Sequence, residues 1–207
     1  MKISDVTFDA EDKKRVRSDL IRLLNQPSDT VERPCPGCRY KRPEDQSISS
    51  AKYCSFRCPA APAQMSSEPE KYPIEGRAVP IVYAFYTTRL MVPCWSCEGH
   101  LNASGDLAKI PKVWFYTSSD LYAKLVAQYV NQLKGQHLIS SDWIVRVLPF
   151  SQSLYSMTYS LEPSLSSGTL DVLQEDLLTI AKGLRKELHK SAQGYLDRIE
   201  NSPFNAH

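Results

Sequence analysis

Apolar residues spaced three or four positions apart predict a helix near each end of the chain. The first helix is expected from Ala10 to Gln26, and its apolar stripe consists of Val16, Leu20, Leu23 and Leu24. The last helix is expected from about Leu170 to Asn201 and would be roughly 45 Å long. Because this length exceeds what a small sheet covers, the stripe either packs along the core or also contacts a second copy in a homodimer.

The pattern between these helices predicts a sheet. Residues 112–117 and 143–150 have the composition of strands, and apolar residues alternate with serine and threonine over residues 155–161. The last two strands are expected to pair as an antiparallel hairpin. A further helix, capped by Ser118 or Ser119, lies between the first strand and this hairpin.

A proline-rich stretch divides the chain. Residues 59–77 contain little that a core would bury, which predicts a linker or a long surface loop. Residues 1–58 then form an N-terminal helix with a cysteine-rich module, and residues 78–207 form the main domain. Directly after the linker, Pro80–Val92 is apolar on nearly all sides, and its leading proline and its length favour a helix. The predicted fold class is α+β: the N-terminal helix and cysteine module, then an antiparallel sheet flanked by helices and the long C-terminal helix.

Composition and charge narrow the functional classes without choosing one. The chain has 207 residues, of which 42% are hydrophobic and 10% aromatic, enough for a substantial core. A net charge of +2 gives no overall field that would favour nucleic acid or membrane. No apolar run approaches the ~20 residues of a membrane helix, and no signal core follows Met1, so a cytoplasmic location is expected. In a reducing compartment, six closely paired cysteines point to metal rather than to disulfides.

Two of the cysteine pairs have the spacing of a zinc knuckle. Cys35 and Cys38 are followed, after fifteen intervening residues, by Cys54 and Cys58. Each short loop brings two thiolates together, and four thiolates suit tetrahedral zinc, although iron accepts the same ligands. Basic residues surround the pairs and would either stabilise the negatively charged centre or contact an acidic protein or nucleic acid partner.

The knuckle resembles the small zinc fingers of the YacG and FCS types. Their pattern is CPxC, about fifteen residues, an aromatic residue and CSxRC, matched here by Cys35-Pro36-Gly37-Cys38 and by Tyr53-Cys54-Ser55-Phe56-Arg57-Cys58. The match spans residues 35–58 only. The Asp-Leu-Gly segment that usually follows in YacG is replaced by residues 59–62 (Pro-Ala-Ala-Pro), so inhibition of DNA gyrase does not carry over. The resemblance implies a zinc-bearing interaction module.

A third cysteine pair with a nearby histidine is the other candidate site. Cys94, Cys97 and His100 supply three metal-binding side chains within seven residues. Four interpretations stay open: a zinc site closed by a distant residue such as His137, an open zinc site with Glu98 as general base, a CxxC redox pair, or a purely structural role. Phosphate loops and serine-nucleophile or metalloprotease motifs are absent from the sequence.

These patterns predict a zinc-binding interaction or regulatory module built on the four-cysteine knuckle. The alternative is a metalloenzyme or thiol-redox enzyme centred on residues 94–100, with Glu98 and His100 as its catalytic candidates. Whether the chain is an enzyme is left open by the sequence.

Overall fold

The described part of the chain contains four α-helices and seven strands. A computed structural model describes residues 10–26, 65–66, 74–149, 157–164 and 168–201. The helices are α1 (Ala10–Leu24), α2 (Val79–Tyr86), α3 (Asp120–Gly135) and α4 (Leu170–Glu200), and a 3-10 turn at Gly76–Ala78 precedes α2. The strands are β1 (Met65–Ser66), β2 (Met91–Cys97), β3 (His100–Leu101), β4 (Leu107–Lys109), β5 (Lys112–Thr117), β6 (Trp143–Val147) and β7 (Met157–Pro163).

Five of the strands form one sheet in the order β1-β2-β5-β7-β6. Strands β2, β5, β7 and β6 pair antiparallel, whereas the two-residue β1 pairs parallel with β2 at the edge. Strands β3 and β4 form a separate antiparallel ribbon directly after β2. The α+β class is therefore confirmed, as is the antiparallel pairing of β6 with β7.

The helices and one face of the sheet share a hydrophobic core. Phe115 of β5 stacks on Phe85 of α2, with ring centroids 4.4 Å apart, and on Tyr159 of β7 at 5.6 Å. Leu20 and Leu23 of α1 are fully buried in the same core. The N-terminal helix thus packs with elements of the predicted 78–207 domain, and β1 lies within the stretch expected to be a linker. The domain boundaries themselves stay a prediction.

The long helix α4 matches the predicted span and buries its apolar stripe within the chain. Buried residues recur along it from Leu173 to Leu196, and it packs on α1, α2 and α3. Gly183 has a specific role, since a side chain there would collide with Tyr129, whose hydroxyl donates to the Ile180 carbonyl at 3.2 Å. The homodimer stays a prediction.

The segment Pro80–Val92 departs from its predicted helix, because α2 ends at Tyr86 and β2 begins at Met91. Thr88 lies at the break: its hydroxyl donates to the Phe85 carbonyl at 2.7 Å and accepts from the Met91 amide at 3.1 Å. Side-chain bonds of this kind compete with helix continuation. Arg89 then takes a left-handed conformation with φ 57°, which turns the chain into the strand.

The zinc knuckle at Cys35, Cys38, Cys54 and Cys58 lies outside the described residues, and it stays a prediction. Among the described cysteines, Cys94 is partly exposed and Cys97 is buried, and neither forms a disulfide.

Candidate metal centre

Three side chains with metal-binding atoms meet where β2 ends. Glu75, Cys97 and His100 each offer one ligand atom, and these atoms lie within 4.8 Å of one another. Glu75 is 1% exposed and Cys97 is fully buried, whereas the His100 side chain is 25% exposed. Within the described ranges this is the group of histidine, cysteine and acidic residues whose geometry suits an ion.

Two of the three candidate ligands come from one tight turn. Cys97 is the last residue of β2, paired with Lys112 of β5, and His100 begins β3. Gly99 lies between them with φ +86°, a conformation that glycine adopts without strain. Its amide donates to the Cys97 sulfur at 3.3 Å. An amide that donates to sulfur stabilises the thiolate form, the form that binds metal.

Close packing also requires glycine in this turn. A Cβ atom at Gly99 would lie 2.6 Å from Leu170 Cδ1 and 2.9 Å from Pro111 Cδ. The start of α4 and the approach to β5 therefore hold the Cys97–His100 turn in place. Because both neighbours belong to structured parts of the chain, the turn is fixed by the fold before any ligand binds.

Glu75 reaches the centre from a different segment, just ahead of the 3-10 turn. Its Oε2 accepts a hydrogen bond from the Glu98 amide at 2.7 Å and lies 3.4 Å from His100 Nε2. A carboxylate as buried as this one requires charged or hydrogen-bonding partners, because burial of an unpaired charge is strongly unfavourable. The imidazole and the amide meet that requirement without metal, and an ion at the same point would meet it as well.

Glu98 is not part of the group of ligand atoms, and its hydrogen bonds connect the segments around it. Its Oε2 accepts from the Arg77 amide at 2.7 Å, and its carbonyl accepts from Gln174 Nε2 at 3.0 Å. Arg77 also lies 3.7 Å from Glu175 of α4, both side chains being well exposed. These contacts join the 3-10 turn, the β2–β3 turn and the first turns of α4, so the ligands sit on a cross-linked support.

The donor set fits zinc. Thiolate, imidazole and carboxylate are the zinc ligands found in proteins, with metal–ligand distances of about 2.0–2.3 Å. Two nitrogen or oxygen ligands in a tetrahedron are then about 3.3 Å apart, close to the 3.4 Å between His100 Nε2 and Glu75 Oε2. Mixed sulfur, nitrogen and oxygen ligation is less suited to magnesium or calcium, which prefer oxygen alone.

Cys94 is placed outside this group. The register of β2 against β5 shifts between Pro93 and Trp95, so Cys94 is the extra residue of a β-bulge, a feature that redirects side chains. Its thiol is hydrogen-bonded with Tyr116, and burial raises its pKa despite that bond. A raised pKa lowers the thiolate fraction at neutral pH, which disfavours both metal ligation and redox attack by Cys94.

His137, the predicted distant fourth ligand, lies at the end of α3 and is not part of the group either. It has φ 58° and its amide donates to the Lys134 carbonyl at 3.0 Å, while Leu138 bonds back to Leu133 at 3.0 Å. This is the usual geometry of a helix C-terminus. The helix includes Gly135 as its last residue, and His137 takes the left-handed position beyond it.

Glu75 is a candidate ligand that the sequence does not single out. It lies far from the cysteine pair along the chain, inside the stretch expected to be a linker, and no spacing rule connects the two. The sequence does indicate the other two candidate ligands. Gly99 lies between Cys97 and His100, a position typical of a tight turn that brings two ligands together.

Comparison of the chain with protein families, with curated proteins and with solved structures finds no match. The resemblance of residues 35–58 to YacG and FCS fingers accordingly stays a prediction. Among the described residues, no helix has both the length and the hydropathy needed to cross a bilayer.

Proposed function

We propose that this chain is a zinc-binding protein in which Glu75, Cys97 and His100 hold one ion and the predicted Cys35–Cys58 knuckle holds another. The observation that carries the proposal is the meeting of a buried thiol, a buried carboxylate and an imidazole within 4.8 Å. The zinc would cross-link the segment before α2 to the β2–β3 turn, and the free energy of metal binding would then stabilise the fold.

The same three groups also match a thiol nucleophile with a histidine base and an orienting carboxylate. Burial argues against that function. A nucleophile must reach its substrate, whereas the Cys97 side chain is fully buried. A metal ligand has no such requirement, because only the ion has to reach the sulfur. Metal ligation is therefore the better account of Cys97.

The role that we propose first is that of an interaction or regulatory protein located in the cytoplasm, with the knuckle as its contact module. It rests on the resemblance of residues 35–58 to small zinc fingers and on the basic residues around them. The second candidate is a metalloenzyme. It is favoured by one feature of the described centre, namely that it brings together three ligands, the number typical of catalytic zinc sites.

The experiment is zinc content per chain in the wild type, in Cys97→Ser and in Cys94→Ser, each purified without added metal. Cys94 is the matched control because it lies on the same strand and only three residues away. We expect the Cys97 variant to lose one equivalent of zinc relative to the wild type and the Cys94 variant to lose none. Equal zinc in all three proteins would rule out Cys97 as a ligand.

A further inference from the structure

We infer that zinc at the Glu75–Cys97–His100 centre keeps one exchangeable coordination position, which takes a neutral oxygen or nitrogen donor such as water, a carbonyl or alcohol oxygen, or an imidazole. This inference rests on the proposed function. It names the chemical class of ligand that the metal centre would accept. Three ligand atoms converge in the described chain, and tetrahedral zinc requires four.

Cys94, His137 and Glu98, the further metal-binding candidates of the sequence, do not belong to the group of converging ligand atoms. The thiol of Cys94 is bonded with Tyr116 at a bulge, and His137 belongs to the end of α3. The Glu98 carboxylate accepts from the Arg77 amide at 2.7 Å and so caps the 3-10 turn. These contacts belong to the local fold. If Cys94 or Glu98 moved toward the ion, a hydrogen bond would be lost, and if His137 moved, the end of α3 would be disrupted.

Access to the centre is uneven, and this indicates where an outside ligand would enter. Glu75 and Cys97 close the interior side, since both are buried, whereas a quarter of the His100 side chain is in contact with solvent. His100 also begins the short β3–β4 ribbon, whose connecting turn at residues 102–106 is exposed. A small molecule would therefore approach along the His100 side of the ion.

Charge determines the class of ligand. Zinc carries two positive charges, and one thiolate and one carboxylate cancel both, while a neutral imidazole adds none. A fourth anionic ligand would make the centre negative in a surrounding of low polarity, which is unfavourable. A neutral donor preserves the balance. Zinc in this state polarises a bound carbonyl or lowers the pKa of a bound water or alcohol.

The test uses the full chain loaded with Co²⁺, whose visible bands report on coordination in place of zinc. Imidazole is titrated into the wild type, into Cys94→Ser as the matched control, and into His100→Ala and Cys97→Ser, which remove ligands. Azide is titrated in parallel as a small anion. Circular dichroism shows which variants fold, and His100→Ala serves as the milder variant because its side chain is partly exposed.

We expect a saturable change in the cobalt bands, one imidazole per chain, in the wild type and in Cys94→Ser. The change should be absent in the ligand variants, and azide should need about tenfold higher concentration because of its charge. A cobalt site that depends on Cys97 but does not respond to imidazole overturns the inference and leaves the proposed function standing. Tighter binding of azide overturns the neutral-donor class. If no cobalt site depends on Cys97 or His100, the proposed function fails, and the inference fails with it.

Discussion

Two buried carboxylates, Asp176 and Glu75, show how the same chemical group serves different purposes in this protein. Asp176 is 4% exposed and accepts from the amides of Ser140 and Ser141, each at 2.8 Å, and from Trp143 Nε1 at 3.3 Å. All three donors are neutral N–H groups that cannot bind metal. Their geometry accounts for the carboxylate fully as an anchor of the loop between α3 and β6.

Glu75 is buried to a similar degree, but the groups that surround its carboxylate are different. One backbone amide bonds to it at 2.7 Å, and its other close groups include an imidazole at 3.4 Å and a thiol. Imidazole and thiol are metal ligands as well as hydrogen-bonding groups. Burial of a carboxylate is therefore not in itself a sign of function. The donors that surround it distinguish a structural anchor from a candidate metal ligand.

The largest effect is expected at the anchor. Asp176→Ala leaves three donors without their acceptor, and each buried unsatisfied group costs about 1–3 kcal/mol, so the free energy of unfolding should decrease by roughly 3 kcal/mol or more. Urea unfolding measures this, with zinc present and with a chelator. The loss should be the same in both conditions. A loss that depends on zinc would mean that Asp176 also belongs to a metal site.

Without zinc, Glu75→Gln should give a smaller effect than Asp176→Ala, and the effect should grow when zinc is added. The glutamine keeps an oxygen for the Glu98 amide, so the change without zinc should be about 1 kcal/mol. With zinc at a hundred times its dissociation constant, the wild type gains about 2.7 kcal/mol from an occupied site, and the variant should lose most of that gain. The measurement is unfolding free energy at several zinc concentrations. Equal zinc dependence in both proteins would place Glu75 with Asp176 as an anchor.

Gly99 lies in the turn that carries Cys97 and His100, and Gly105 provides a matched control for its substitution. Both have φ +86°, but a Cβ at Gly105 meets nothing within 4 Å, whereas one at Gly99 meets Leu170 and Pro111. Gly105→Ala should cost about 1 kcal/mol of stability from backbone strain alone. Gly99→Ala should cost about 1–3 kcal/mol more and also weaken zinc binding, measured by competition with a chromophoric chelator. Equal effects of both substitutions would show that the turn tolerates the displacement.

The smallest expected effect is the pH dependence that Cys94 gives to stability and to its own reactivity. Its pKa is raised by burial, so the folded chain keeps the thiol proton to higher pH than the unfolded chain does. Its contribution to stability is therefore complete below the ordinary thiol pKa and decreases as the pH rises above it toward the folded value. Alkylation at about pH 8 should be several-fold slower at Cys94 than in the chain unfolded in urea. Equal alkylation rates in the folded and the unfolded chain would show that the Cys94 thiol is reactive in the folded protein.

The fold was largely predictable because its signals are local. The strand at residues 112–117, the alternation that became β7 and the stripe of α4 each follow from periodic burial within a single element. The segment Pro80–Val92 was harder, since a run that is apolar on all sides fits helix and strand alike. Its break depends on the hydroxyl of Thr88, a contact that no hydrophobic pattern records.

The centre was predictable only in part, and for a related reason. Cys97 and His100 stand out because they are close in sequence and frame a glycine. Glu75 joins them through tertiary structure, and Cys94 departs because of a bulge whose position depends on pairing with β5. Ligands that are brought together by the fold rather than by spacing need the structure to be identified.

The most direct test of the central claim is the anomalous scattering of zinc in a crystal of the full chain grown with the metal. The account predicts a peak at the zinc absorption edge between Glu75, Cys97 and His100, at about 2.0–2.3 Å from one atom of each side chain. If zinc is bound elsewhere in the crystal while Glu75 and His100 remain in contact with each other and with no metal, the centre is an acid–imidazole pair. The proposal of a metal site at the end of β2 would then be wrong.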